Sequence, residues 1–431
     1  MLLSGLWIVP YKYKRVITVS CKAISSGDAG FRLTNPSPGP SIDKGKLAPY
    51  SLIERSKQGA GMKKLRVGVV GCGLIAQVMH LNYLRELSDR YEIAALCDLD
   101  ASVREACARD YGVTKTFGSW QELLNEKLDA VLVLTPGSHA PIAIAAAERG
   151  IHVLVEKPMC FSVAEGEEMI AAAERAGVTL MVAYNKRYDP GFLRLRDEAK
   201  QLRDLRLIRV TTLESPLKPY VGHYVLHRGG PLEAGIAAGL QADNEQRITR
   251  AIGTADPLSR HAYHLVLLDS MVHEFNVIRG VLGEPDELTF ANIRENGLTL
   301  ALRYGPAECL IAWVDLPGIA RYHMEFAFYT PDRRLTLSFP SPFLRNAPTL
   351  FIDESGDPAT AKASRSEEII SYLEGFKEEL IHFHHCVTMG ARPTTSGRDS
   401  LGDIALCQSV IAAHATRRAV LKPTDTASKA A

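Results

Sequence analysis

The stretch Leu65-Arg66-Val67-Gly68-Val69-Val70-Gly71-Cys72-Gly73-Leu74-Ile75-Ala76 decides the fold. Its first six residues form a short Val-rich run that reads as a buried parallel strand, because a strand covered on both faces shows no in-out alternation. The run passes into Gly71-Cys72-Gly73-Leu74-Ile75-Ala76, a match to G-x-G-x-x-G/A. In that pattern one glycine permits the tight turn, one lets a pyrophosphate approach the backbone, and a small sixth residue lets helix pack on strand. A helix is expected next, with its N-terminus facing the phosphates. Taken alone the pattern also describes a glycine turn that holds no nucleotide, so its neighbours carry the argument.

A second apolar run, Ile93 to Cys97, ends in Asp98, 22 residues past Ala76. The dinucleotide fingerprint expects an acid there, on the adenosine ribose hydroxyls. An acid at that point repels a 2'-phosphate and favours NAD, with NADP the other possibility; capping the following helix is the plainer task for Asp98. The alternation continues with a helix near Ala101 to Asp110, strand Ala130 to Leu134, helix Pro141 to Glu148, strand His152 to Val155, helix Ala164 to Ala176 and strand Thr179 to Ala183. Strands separated by helices mean an α/β fold with a doubly wound parallel sheet. Ligands of such sheets sit beyond the carboxyl ends of the strands. Two of those ends carry unusual chemistry, Thr135-Pro136-Gly137-Ser138-His139 and Glu156-Lys157-Pro158.

At 431 residues two domains are expected. A composition with 46% hydrophobic and 23% charged residues is that of an ordinary globular chain, and a net charge of +1 gives no global reason to bind nucleic acid or an anionic membrane. No apolar run reaches the roughly 18 residues a spanning helix needs. The 8 cysteines are scattered without a C-x-x-C pair, as expected of reduced thiols in the cytoplasm. Residues 1–61 lack periodicity and collect turn formers around Pro36, Pro38 and Pro40, so they read as an unpacked extension, with a targeting segment as the alternative.

Beyond a strand pattern at Leu207 to Thr212, the stretch from Glu214 to about Arg260 is rich in Gly, Pro and charge and reads as an irregular lid or binding loop near the active-site mouth. His264 to Gly280 has a helical apolar period. Asp269 and His273 stand four apart on it, so both project from one face. Leu298 to Tyr304, Tyr322 to Phe328 and Leu335 to Phe339 alternate with period two, the pattern of antiparallel strands with one covered face. His382, His384 and His385 have no companion ligands at metal spacing, so no metal is expected. A last helix bearing Leu401, Ile404, Ala405, Val410 and Ile411 is expected to pack on the nucleotide domain, followed by a disordered tail after Leu421.

The glycine loop, Thr135-Pro136 with His139, the Glu156-Lys157-Pro158 tripeptide and the Asp269/His273 pair together resemble the glucose-fructose oxidoreductase / inositol dehydrogenase / rhizopine catabolism (Gfo/Idh/MocA) family over nearly everything after Met62. The resemblance implies that Lys157 lies between nicotinamide and substrate, that Glu156 lies near the nicotinamide ribose, that Lys157-Pro158 is a cis peptide, and that Asp269 and His273 supply the acid/base pair. It assigns Gly71, Gly73, Leu74, Ile75, Ala76, Asp98, Thr135, Pro136, His139, Glu156 and Lys157 to the cofactor. Asn185 and Arg187, in a segment like the family's aromatic-Asn-x-Arg, are further cofactor candidates, although Arg187 also suits a purely structural ion pair. Glycines that many relatives carry around Asp269 are absent, and Asn276 replaces a frequent acid.

The resemblance also implies a Rossmann domain over 62–184, an α+β domain with an open, mainly antiparallel sheet over 185–400, a returning helix and tail over 401–431, and a homo-oligomer. The implied activity is hydride transfer between a nicotinamide cofactor and a secondary alcohol of a sugar, inositol or related polyol. A redox-neutral NAD-dependent glycosidase and a non-catalytic sugar or nucleotide sensor are the alternatives on the same fold.

Overall fold

In the computed structural model, which describes residues 63–420, strand β1 (Leu65–Val70) runs straight into the glycine loop. With β2 (Tyr91–Cys97), β3 (Thr116–Phe117), β4 (Ala130–Val133), β5 (His152–Glu156) and β6 (Leu180–Ala183) it forms a six-stranded sheet, parallel throughout, in the order β3-β2-β1-β4-β5-β6. Chain order reverses between β1 and β4, and such a reversal opens a crevice at the carboxyl ends of the two strands. Val67 and Val69 face one apolar core while Val70 faces another, and Leu132 and Val133 divide in the same way. Both faces of the sheet are therefore covered, which is why no alternation appears in these runs.

The longer helices between the strands are α1 (Leu81–Glu86), preceded by a π-helical turn at Ala76–His80, then α2 (Ala101–Tyr111), α3 (Ala140–Ala147) and α4 (Val163–Ala176), with one further short turn of helix at Trp120–Leu123. The Asp100 carboxylate caps α2 by accepting from the Val103 N–H at 3.1 Å, and Ser162 Oγ caps α4 by accepting from Glu165 N–H at 3.2 Å. Caps of this kind contribute about 1 kcal/mol each.

The second sheet begins with β7 (Leu207–Glu214). The expectation of an irregular region from Glu214 to Arg260 needs correction, because α5 (Ala234–Ile252) occupies much of it. Of the side chains of α5 only Ile248 is buried, so the helix shows no apolar stripe of core width, and its alanines rather than its period favour the helical state. The next helix is longer than its apolar period indicates and changes form: it is π-helical over Ala262–Met271 and continues as α6 (Val272–Leu282).

Seven further strands follow: β8 (Glu287–Arg294), β9 (Gly297–Tyr304), β10 (Ala307–Asp315), β11 (His323–Tyr329), β12 (Arg333–Phe339), β13 (Leu350–Asp357) and β14 (Lys362–Ile369). With β7 they form an eight-stranded sheet, β14-β13-β12-β11-β7-β10-β9-β8, antiparallel except where β7 meets β10. Ile208, Val210, Ile311, Phe326 and Phe328 are buried on one face, whereas Arg209, Glu308 and Leu310 are exposed on the other. Strands β8, β10, β13 and β14 escaped the sequence reading; the last two left little trace because β14 is almost wholly exposed and β13 becomes so toward its end.

Helix α7 (Gly375–Met389) lies against α1, and α8 (Gly397–Val420) packs on α4 and β8 through Ile404, Cys407, Val410 and Ile411. The expected extension over 1–61 and the tail after Leu421 lie outside the described residues. Among the described residues no helix is long and apolar enough to cross a membrane.

Candidate active site

The glycine loop is shaped by two different demands. Gly71 adopts φ +97°, and a Cβ there would stand 2.8 Å from the carbonyl carbon of Leu134, so any side chain would be strained and would collide with backbone. A Cβ at Gly73 would meet nothing within 4 Å, which leaves an open floor where a pyrophosphate can approach. The Asp98 carboxylate accepts from Cys72 N–H at 2.7 Å and from Asp100 N–H at 2.9 Å, tying the loop after β1 to the end of β2. Each of its oxygens keeps a second lone pair for a ribose hydroxyl. Leu74, Ile75 and Ala76 continue from the loop into the following helix, where Gln77 N–H donates to Gly73 O at 3.0 Å. An open floor with an acid beside it fits a dinucleotide.

Thr135 and Pro136 follow β4, and Glu156-Lys157-Pro158 ends β5. His139 joins the two loops: its ring nitrogens lie 2.7 Å from Thr135 O and 2.8 Å from Pro158 O. Glu156 is buried and pairs with His80 Nε2 at 2.7 Å. Burial works to raise its pKa, but His80 and Lys157 outweigh burial and hold it below the usual glutamate value. The Lys157-Pro158 peptide is cis. Lys157, one-fifth exposed (20%), donates from Nζ to the Asp269 backbone carbonyl at 2.6 Å and to Asp269 Oδ1 at 3.0 Å. Burial disfavours its ammonium, yet Asp269 and Glu156 beside it keep its pKa above the ordinary lysine value.

The structure thus brings the strand-end lysine onto the helix-borne Asp269, with His273 one turn farther along the same helical run. The Asp269 carboxylate engages Lys157, and His273 stands in the first turn of α6 with its ring edge-on to Tyr184 at 6.0 Å between centroids. Its Nδ1 is buried without a hydrogen-bond partner among the described residues. Burial, reinforced by Lys186 and Lys157, drives the imidazole pKa well below the ordinary histidine value. The ring is neutral at physiological pH and can accept a proton.

The side chains of Asn185 and Arg187 are buried. Arg187 donates to Asn276 O at 3.1 Å and to Asn276 Oδ1 at 3.3 Å, pairs with Asp399 at 3.5 Å, and lies over the Phe192 ring. Asn276 in turn donates to Asp403, which also pairs with Arg279 at 2.6 Å. Arg187 thereby belongs to a buried polar network behind the site, and the Asn185 carbonyl packs against Gly375.

Three charged residues that sequence reading did not single out join this cleft: Lys186, Glu214 and Glu274. Lys186 is 4% exposed and Glu274 fully buried; Lys186 Nζ and Glu274 Oε2 have no hydrogen-bond partner among the described residues, while Thr212 Oγ1 donates to Glu274 Oε1 at 2.5 Å. The legible signal was Glu274 itself, a carboxylate three and four residues before the core positions Val277 and Ile278.

Burial pushes the Glu274 carboxyl up to about 7 against the pull of Thr212 and Lys186, and pushes Lys186 down to about 8 against the pull of Glu274. A folded-state glutamate pKa above the unfolded value contributes stability at low pH that is lost as pH rises through the folded value. Glu274→Gln removes that loss. Its melting temperature relative to wild type is expected to become more favourable as pH rises from 5 to 8. A difference that stays constant with pH in calorimetry contradicts the raised carboxyl.

A dinucleotide cradle whose open end meets a lysine, a carboxylate and a neutral imidazole is the layout of a nicotinamide-dependent oxidoreductase. Residues 65–184 match the Gfo/Idh/MocA family, described as an oxidoreductase family with an NAD-binding Rossmann fold, and the chain is an NAD(P)-dependent dehydrogenase. It is 24% identical over 365 residues to D-apiose dehydrogenase of Paraburkholderia graminis, covering 81% of this chain and 87% of that one. It is 23% identical over 358 residues to myo-inositol 2-dehydrogenase of Thermotoga maritima, covering 79% and 93%. Among solved structures, a 3-ketoreductase of Actinomadura kijaniata in complex with NADP shares the fold with a TM-score of 0.62 at 19% identity, over 81% of this chain and 98% of that one.

Proposed function

We propose that the protein transfers hydride between NAD(P) and a secondary alcohol of a neutral sugar, inositol or related polyol, with Lys157, Asp269 and His273 as its reacting groups. The observation that carries this reading is the Lys157 ammonium, held on Asp269 at the carboxyl end of β5 beside a neutral His273. The nicotinamide ring, when bound, accepts or returns the hydride.

The residues of the chain manage the proton and the charge. In the oxidative direction the hydroxyl proton passes to the imidazole of His273, and the Lys157 ammonium stabilises the alkoxide oxygen as it develops. Asp269 positions Lys157 and accepts from a neighbouring substrate hydroxyl. The cleft sets Lys157 and Lys186 against Asp269, Glu214 and Glu274, a mixture of donors and acceptors that suits a neutral polyol better than an anion. The curated relatives named for D-apiose and myo-inositol support the same substrate class.

In this reading residues 62–184 hold the cofactor, Asp98 favours NAD over NADP, and residues 185–400 supply the substrate wall. The exposed face of the eight-stranded sheet is the proposed surface for a homo-oligomer. The test is NADH formation, followed by absorbance, with NAD or NADP across a panel of inositols, aldoses and glycosides. Turnover of one polyol class with NAD is expected. Bound cofactor with no NADH formed, but with release of a glycosidic leaving group, would replace this reading with a redox-neutral glycosidase.

A further inference from the structure

Between β7 and the helix of Asp269 the chain leaves the eight-stranded sheet and crosses the carboxyl edge of the other one. His227 is the first anchor. Its backbone N–H donates to Gln77 Oε1 at 2.8 Å, Gln77 Nε2 donates back to His227 O at 3.0 Å, and its ring Nε2 lies 2.6 Å from Asp110 Oδ2. Gly230 N–H then donates to Asp100 Oδ2 at 3.0 Å, and Gly229 passes so near that a Cβ would crowd the same carboxylate. Helix α5 carries the chain to the far side, where Asn244 Oδ1 lies 3.1 Å from the Cβ position of Gly137 and Arg247 donates to Glu165 at 2.5 Å.

These anchors have a common address. Gln77 follows β1, Asp100 follows β2, Gly137 follows β4 and Glu165 follows β5, and in space those strands stand side by side as β2-β1-β4-β5. Residues 227–247 therefore bridge the width of the crevice from the Asp98 end to the Lys157 end. Core burial does not place them there, since Leu232, Ile236 and Leu240 remain 37%, 41% and 47% exposed and the anchors are polar. A segment with so little buried apolar surface lies at the low-stability end of the fold, as a part that opens and closes must.

We propose that residues 227–247 form a strap over the dinucleotide, closing the side of the site that the Rossmann sheet leaves open and slowing release of the cofactor. The proposal rests on the chain's binding of NAD(P) and is independent of which alcohol is oxidised. It shifts the task of this segment from substrate choice toward cofactor retention.

The test is the NADH dissociation rate of the full chain, measured by stopped-flow fluorescence, in wild type and in the double variant His227→Ala/Gly230→Pro. The first change removes the contact to Asp110 and the second removes the N–H donated to Asp100. A rise of about tenfold in the dissociation rate is expected, the effect of losing two such hydrogen bonds. A rate within twofold of wild type overturns the strap. Trypsin cleavage of the wild type after the exposed Arg228 supplies a second measurement that needs no variant. Saturating NAD is expected to slow that cleavage at least fivefold, whereas unchanged or faster cleavage overturns the strap. Failure of the wild type to bind NADH at all would overturn the cofactor reading itself, a result distinct from either of these.

Discussion

Lys157→Met is expected to lower kcat by about a thousandfold while leaving the protein folded and its affinity for NAD nearly unchanged. Methionine keeps the length and apolar stem of the lysine but removes the ammonium that stabilises developing negative charge on the substrate oxygen. The fold tolerates the loss because Asp269, the partner left behind, is 69% exposed and is resolvated by water. Two measurements separate the effects: kcat from NADH absorbance, and the dissociation constant of NADH from its fluorescence. A variant that keeps more than a tenth of the wild-type kcat would remove Lys157 from the reacting groups. One that loses activity and NADH binding together would make it a cofactor ligand instead.

His273→Asn is expected to lower kcat by about a hundredfold to ten-thousandfold, the usual contribution of a positioned acid/base group. Asparagine retains polarity at that place in α6 but cannot take the proton. The pH profile gives the sharper test. Because burial and the two lysines depress the imidazole pKa, its proton-accepting form is present at neutral pH and is lost only as pH falls through the depressed value. The acid limb of kcat/KM in the wild type is therefore expected below the ordinary histidine value of 6.5 and to vanish in the variant. A wild-type limb centred at 6.5, or an unchanged limb in the variant, would assign the proton to another group.

The elements that were legible in the sequence are those whose local pattern is dictated by their final burial. The strands of the parallel sheet read as apolar runs because both faces are covered, and Gly71 was required by a backbone conformation that a side chain strains. Asp269 and His273 were read as a pair from their four-residue spacing; in the structure Asp269 lies in the π-helical stretch and engages Lys157, while His273 stands in the first turn of α6. Helix α5 was missed for the opposite reason: only Ile248 enters the core, so almost nothing in its period records a buried face. Strand β14 left equally little trace, since nearly all of it faces solvent.

The sequence by itself determined the alternation of five of the six strands of the first sheet with their helices, and the glycine turn after β1, because each depends on spacing along one short segment. Only the tertiary structure decided that Lys157 rests on Asp269, that Lys186, Glu214 and Glu274 share their cleft, that Arg187 turns into a buried network, and that the segment 227–247 is tied to Gln77, Asp100 and Glu165. Those outcomes depend on pairing between segments far apart in the chain. The charges concerned acquire their shifted proton affinities from burial and from one another, and neither exists until the two sheets have closed around them.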